Sequence, residues 1–96
     1  MIVWVIYDIR EDKARTKVAK ACLQSGLYRV QFSAFIGKLD RHQKDSLKLR
    51  MQELIDEDKD KVYIFPMSKD ELLQTVLLGQ AFDKKFVTDE VRSLFF

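Results

Sequence analysis

Met1-Ile-Val-Trp-Val-Ile-Tyr7-Asp8 opens the chain, an unbroken apolar run ended by a carboxylate. It is rich in β-branched and aromatic residues, the composition of a central strand covered on both faces of a sheet. The run is far shorter than the roughly 20 residues that cross a bilayer. No basic segment precedes it and no small-residue cleavage site follows, so neither a membrane span nor a secretion signal is predicted.

Working outward, the pattern changes to helical spacing from about Glu11 to Gln24. Ala14, Val18, Ala21 and Cys22 share one face, Lys13, Lys17 and Lys20 another, and Gly26 supplies a C-terminal stop. Leu27 to Leu39 then alternates at period two over 13 residues, too long for an ordinary strand, which predicts a bent strand or two short ones. Asp40 can cap a second helix over about Arg41–Glu57, inward-facing through Leu47, Met51, Leu54 and Ile55, with Arg41, Lys44 and Lys48 outward. Lys61 to Met67 reads as a strand that Pro66 confines to an edge or terminates. Ser68 to Glu71 fits a capping box for one helical turn, and Thr75 to Leu78, followed by Gly79, fits a further short strand.

The order strand, helix, one or two strands, helix, strand defines an α+β, ferredoxin-like βαββαβ sandwich whose two helices cover one sheet face. A chain of 96 residues and 11.3 kDa suits one such domain, assigned to residues 1–80, with 81–96 as a C-terminal strand extension. Leu94-Phe95-Phe96 is too apolar to stand in water, and adding it as a strand to this sheet or a partner's would cover it. The second sheet face would be an exposed apolar patch, which a symmetric homodimer packing sheet against sheet removes from water. Leu49, turned away from the Leu47/Met51 stripe, is a candidate second contact.

The formal charge is only +2, yet it is unevenly distributed. Residues 1–50 carry eleven Lys and Arg against five Asp and Glu, whereas residues 51–96 carry six against ten. A basic N-terminal half suits a phosphate-facing surface, and the Lys13/Lys17/Lys20 stripe with Arg10, Arg15 and Arg29 could track a duplex backbone without reading sequence. An ordinary solvated helix face is the alternative. The composition, with three Gly and one Pro, excludes disorder and low-complexity classes. The single cysteine, Cys22, permits no internal disulfide and suits a reducing cytoplasm, where it serves as core.

Asp8 is the most informative candidate. A carboxylate ending a buried strand must be solvated, paired with Arg10 or Arg15, used as a cap, or bound to a cation. One aspartate makes a poor magnesium site, but two copies across a dimer axis could hold a hydrated Mg²⁺, with Mn²⁺ as a substitute. Other candidates fail on their own pattern. Asp56-Glu-Asp58-Lys-Asp60 lacks the glycine and the terminal glutamate of a calcium loop. His42 has no nucleophile or orienting acid beside it, and Trp4 and Phe65 read as sheet packing.

Val5-Ile-Tyr7-Asp8-Ile9 with Asp12 and Arg15, then Gly26-Leu-Tyr-Arg29-Val-Gln31-Phe-Ser33-Ala-Phe35-Ile-Gly37, resembles the small CRISPR-associated adaptation proteins. These are ferredoxin-like partners of the CRISPR integrase to which endoribonuclease activity is often assigned. The likeness is close over about the first 40 residues, and Pro66, the capped turn and Gly79 follow in order. The resemblance implies that Asp8 is the catalytic Mg²⁺ ligand, facing its copy in a homodimer. It also implies that Tyr7, Arg15, Arg29 and Phe35 take part in cleavage or binding of nucleic acid.

It further implies exchange of C-terminal strands, bridging of two integrase dimers, and a role in spacer acquisition on double-stranded DNA, with single-stranded RNA as a further substrate for cleavage. One departure weakens the catalytic case: Tyr28 stands where some nuclease-active members have an acidic residue. The alternatives left open are a ribonuclease toxin of the same fold and a metal-dependent nuclease with no integrase partner.

Overall fold

The computed structural model describes residues 1–81. Four strands and three helices follow one another as β1 (Ile2–Asp8), α1 (Asp12–Gln24), β2 (Tyr28–Gln31), β3 (Ala34–Lys38), α2 (Arg41–Leu54), β4 (Lys61–Met67) and α3 (Lys69–Gln74). The strands form one sheet in the order β2-β3-β1-β4, every neighbouring pair antiparallel. This is the expected ferredoxin-like α+β arrangement. Among the described residues no helix is long and apolar enough to cross a membrane. The expected extension over 81–96 lies, beyond Ala81, outside the described residues.

The strand β1 organises the core because it is hydrogen-bonded on both sides. Val3, Val5 and Tyr7 point to the face covered by α1 and α2, where they meet Val18, Cys22, Phe35, Leu47 and Met51. Ile2, Trp4 and Ile6 alternate to the other face. There Leu72 of α3 is fully buried with Ile2 and Ile36, against half-buried Trp4, Val30 and Met67. The small helix thus covers the Ile2 end of the second face. The other end stays open, leaving Ile6 39%, Tyr63 59% and Phe65 38% exposed. Trp4 and Phe65 stack with ring centroids 6.1 Å apart, the packing role expected of both.

Local chemistry explains the element ends. Gly26 takes a φ of +89°, and the bonds Gly26 N–H to the Leu23 carbonyl and Leu27 N–H to the Cys22 carbonyl close α1 as a Schellman turn. The long alternating segment is two strands joined through Phe32 and Ser33, with a register shift between Arg29 and Gln31. Asp40 and Gln43 form a reciprocal capping box at the start of α2, and Ser68 and Glu71 repeat it at α3.

Two expectations need correction. The second helix ends at Leu54 and does not reach Glu57, because the Asp56 carboxylate accepts from the Asp58 amide and the Asp56 carbonyl from those of Lys59 and Asp60. Those bonds compete with continuation of the helix. Thr75–Leu78 forms no strand: the chain leaves α3 extended at Thr75 but pairs with no neighbour among the described residues. The segment instead brings Leu77 and Leu78 beside Trp4, Ile6 and Ala34 around a hollow of about 360 Å³, so its apolar side chains are drawn to the sheet face and not into the ladder. Pro66 does lie in an edge strand, as its missing donor requires.

Gly37 of β3 lies close against Leu27. A Cβ there would stand 2.8 Å from Leu27 Cδ2 and 3.1 Å from Leu27 Cα. Gly37→Ala should therefore destabilise the domain by about 1–3 kcal/mol through overpacking, read as a lower urea midpoint with an unchanged slope.

Candidate nucleic-acid interface

Tyr7, Arg29 and Phe35 come together, as their period-two positions on three adjacent strands dictate. The Tyr7 and Phe35 rings stack at 6.2 Å, and the Arg29 guanidinium lies 5.3 Å from the Phe35 centroid and 5.1 Å from that of Phe32. Arg29 donates through Nε and Nη2 to the Phe32 carbonyl at 3.1 and 2.8 Å, and Tyr7 Oη donates to the same oxygen at 3.5 Å. Burial raises the Tyr7 hydroxyl above its ordinary pKa, with the Arg29 charge opposing the shift. Two of the fork's nitrogens are committed to the backbone, so Arg29 offers a phosphate mainly its charge and its remaining N–H groups.

Arg15 lies across a cleft from this group. It pairs with Asp12 one turn earlier and donates from Nη1 to the Ile9 carbonyl at 3.2 Å. The cleft, of about 450 Å³, is walled on one side by α1 with Arg15 and Lys20 and on the other by Arg29 and Phe32. Lys13 and Lys17 are exposed on the same helix beside the cleft lining, which runs from Asp12 to Leu23, and among the described residues none of the three lysines is in an ion pair. The predicted stripe is thus a solvent-facing row of free cations that flanks the cleft and shares Lys20 with it. Phe32 escapes a reading based on strand alternation, because it sits in the turn where alternation lapses. An aromatic side chain in a two-residue turn is the signal that marks it.

Asp8 is placed elsewhere. The alternation of β1 sends it to the face of Ile2, Trp4 and Ile6, opposite Tyr7, and it is exposed beside Lys61 of β4. Neither local partner weighed for it is used. Arg15 is occupied by Asp12, and the Arg10 amide donates instead to Asp60 Oδ1 at 3.0 Å. Asp60 also accepts from the Asp56 amide, and these two backbone bonds hold its carboxyl below the usual range. This ties the turn after β1 to the loop before β4.

Among the described residues no three His, Cys, Asp or Glu side chains gather as metal ligands. A single exposed carboxylate does not fit a Mg²⁺ by itself, so a site at Asp8 requires a second copy of the chain. His42 is exposed, and Cys22 is buried, the core role expected of it.

The chain matches the family model described as CRISPR associated protein Cas2 over residues 1–75. It is 36% identical over 67 residues to a CRISPR-associated endoribonuclease Cas2 of Archaeoglobus fulgidus, covering 70% of this chain and 71% of that one. It is 43% identical over 70 residues to a CRISPR-associated endonuclease Cas2 of Halalkalibacterium halodurans, covering 68% and 72%. Among solved structures, Cas2 of Streptococcus pyogenes superposes with a TM-score of 0.72 at 30% identity, over 82% of this chain and 100% of that one.

Burial pushes the Cys22 thiol from 9.0 up to about 12. The folded state therefore keeps a proton that the unfolded chain releases, and this contribution to stability is complete below pH 9 and is lost as pH rises from 9 toward 12. The raised Tyr7 hydroxyl acts in the same direction. The urea midpoint should fall across that range, and Cys22→Ala should flatten the fall.

Proposed function

The chain belongs to the CRISPR-associated protein Cas2 family, and on that premise we propose that it is a nucleic-acid-binding subunit of CRISPR adaptation. It works as a homodimer that bridges integrase dimers and holds double-stranded DNA by its backbone while a new spacer is installed. The observation that carries the binding reading is the row of unpaired Lys13, Lys17 and Lys20 on the solvent face of α1. Cations at i, i+4 and i+7 on one helix face can follow a phosphate backbone, and such contacts position without reading bases. Arg10 adds a fourth charge in the turn before the helix.

The open end of the sheet supports the dimer. Ile6 of β1 and Tyr63 and Phe65 of β4 stand together on the open end of the second face, a contiguous group and not single scattered residues. A second copy related by a two-fold axis would cover it with the same residues. This face also bears Asp8 at its end, so the packing that buries the apolar area brings two carboxylates toward one another.

A metal-dependent nuclease activity is the second reading, and the position of Asp8 favours it. Relatives of this chain carry the names endoribonuclease and endonuclease, which suits a phosphodiester substrate in either RNA or DNA. Mg²⁺ or Mn²⁺ held between two Asp8 carboxylates would supply an activated water and offset phosphodiester charge. The chain's own part is to present the carboxylates without competing ion pairs; Arg15 and Arg29, expected beside them, border the cleft on the opposite face of the sheet and belong to binding instead.

Reversing Lys13, Lys17 and Lys20 together to Glu should weaken blunt-duplex binding and lower the slope of log K against log salt by about 3. Unchanged affinity and slope would remove the proposed DNA surface. Asp8→Ala should leave duplex binding intact and abolish cleavage of labelled RNA or DNA that EDTA also abolishes. Metal-dependent cleavage that persists in this variant would remove Asp8 from the nuclease reading.

A further inference from the structure

Phe32 is 78% exposed at the tip of the β2–β3 turn, a position where small polar residues ordinarily spare an aromatic ring its contact with water. The ring is nonetheless held. The guanidinium that lies 5.1 Å from its centroid is anchored by two hydrogen bonds to the carbonyl of the same residue. A cation fixed against a ring limits the ring's motion and leaves the remainder of its π surface to a ligand.

That ring forms one wall of the 450 Å³ cleft, a volume within the range of small-molecule sites. The facing wall combines apolar Ala19 and Leu23 with the charged ends of Arg15 and Lys20. Asp12 is the one carboxylate on the lining, and its charge is already matched by Arg15. A flat hydrophobic slot bordered by cations suits a planar heterocycle linked to a phosphate. It does not suit a base pair, whose bases are stacked away from side chains inside the duplex.

We propose that this cleft takes one unpaired nucleotide of a nucleic-acid strand, its base stacked on Phe32 and its phosphate facing Lys20 and Arg15. The inference rests on the nucleic-acid-binding reading above and extends it, because Lys20 belongs both to the exposed stripe and to the cleft wall. A strand held along the stripe runs beside the slot, so an unpaired nucleotide can turn from the stripe into it at Lys20. Stacking on an aromatic ring is tolerant of sequence, so the cleft would sense whether a base is paired and not which base it is.

The test measures affinities of the full chain for a blunt duplex, for the same duplex with a single-stranded extension carrying 2-aminopurine, and for a free nucleoside monophosphate. Wild type, Phe32→Ala and Phe32→Tyr are compared. Phe32 is exposed and its carbonyl survives substitution, so the Arg29 anchor remains, and thermal melting checks that each variant is folded. The extended duplex should bind wild type more tightly than the blunt one and quench the 2-aminopurine. Phe32→Ala should weaken the extended duplex by about tenfold, leave the blunt duplex unchanged and remove the quenching, and Phe32→Tyr should restore all three.

Equal affinity of wild type and Phe32→Ala for the extended duplex would overturn the proposal, with blunt-duplex binding left to support the stripe alone. A free nucleotide binding as tightly as the extended duplex would overturn the assignment to a strand. Loss of every affinity in the wild type would sink the nucleic-acid reading itself, and the cleft proposal with it.

Discussion

The alternation of side chains along β1 decides what each face of the molecule can do. The strand is hydrogen-bonded to β3 on one side and β4 on the other, so it cannot slip by one residue without exchanging its two sets of side chains. A slip would place Asp8 under the helices and Val3, Val5 and Tyr7 in water. Burying an unpaired carboxylate costs several kcal/mol, and moving the more deeply buried set to the open face would add to the loss. The register is therefore held by the same residues that separate the basic, aromatic cleft on one side from the apolar face and its carboxylate on the other.

The Phe32 carbonyl links core to surface in this arrangement. Tyr7 reaches it from the buried strand and Arg29 from β2, while the Tyr7 and Phe35 rings stack beneath. A long cationic side chain usually loses rotamer freedom when it engages a ligand. Here the guanidinium is already held before any ligand arrives, so less freedom remains to be lost, and its charge is delivered to one place. Arg15 is held in the same manner by Asp12 and the Ile9 carbonyl, whereas the three lysines are free to adapt along a backbone of variable shape.

Much of this was legible in the sequence, for identifiable reasons. The apolar run before Asp8, the glycine after the first helix and the Asp40 and Ser68 caps each act locally, and each stands where its chemistry predicts. Lys13, Lys17 and Lys20 follow from the helical period alone. What was hidden depended on competition or on distance. The second helix stops short because Asp56 offers nearby amides a better partner. Thr75–Leu78 has strand composition but packs its leucines across the sheet face without pairing at either edge. The break at Phe32 and Ser33 is masked because period two continues on either side of it. That Asp8 and Tyr7, adjacent in sequence, serve opposite faces follows from strand geometry, and the resemblance that groups them as site residues carries no such distinction.

Both margins of the sheet are interrupted. Pro66 removes one donor from the β4 edge, and the register shift between Arg29 and Gln31 disturbs the β2 edge. An unprotected edge is a template for endless strand-on-strand polymerisation, which prolines and bulges suppress. With its margins blunted and its sheet face open, the domain is biased toward association that closes on itself. A closed pair would stop growing once its apolar area is covered, whereas pairing at an unblunted edge would not.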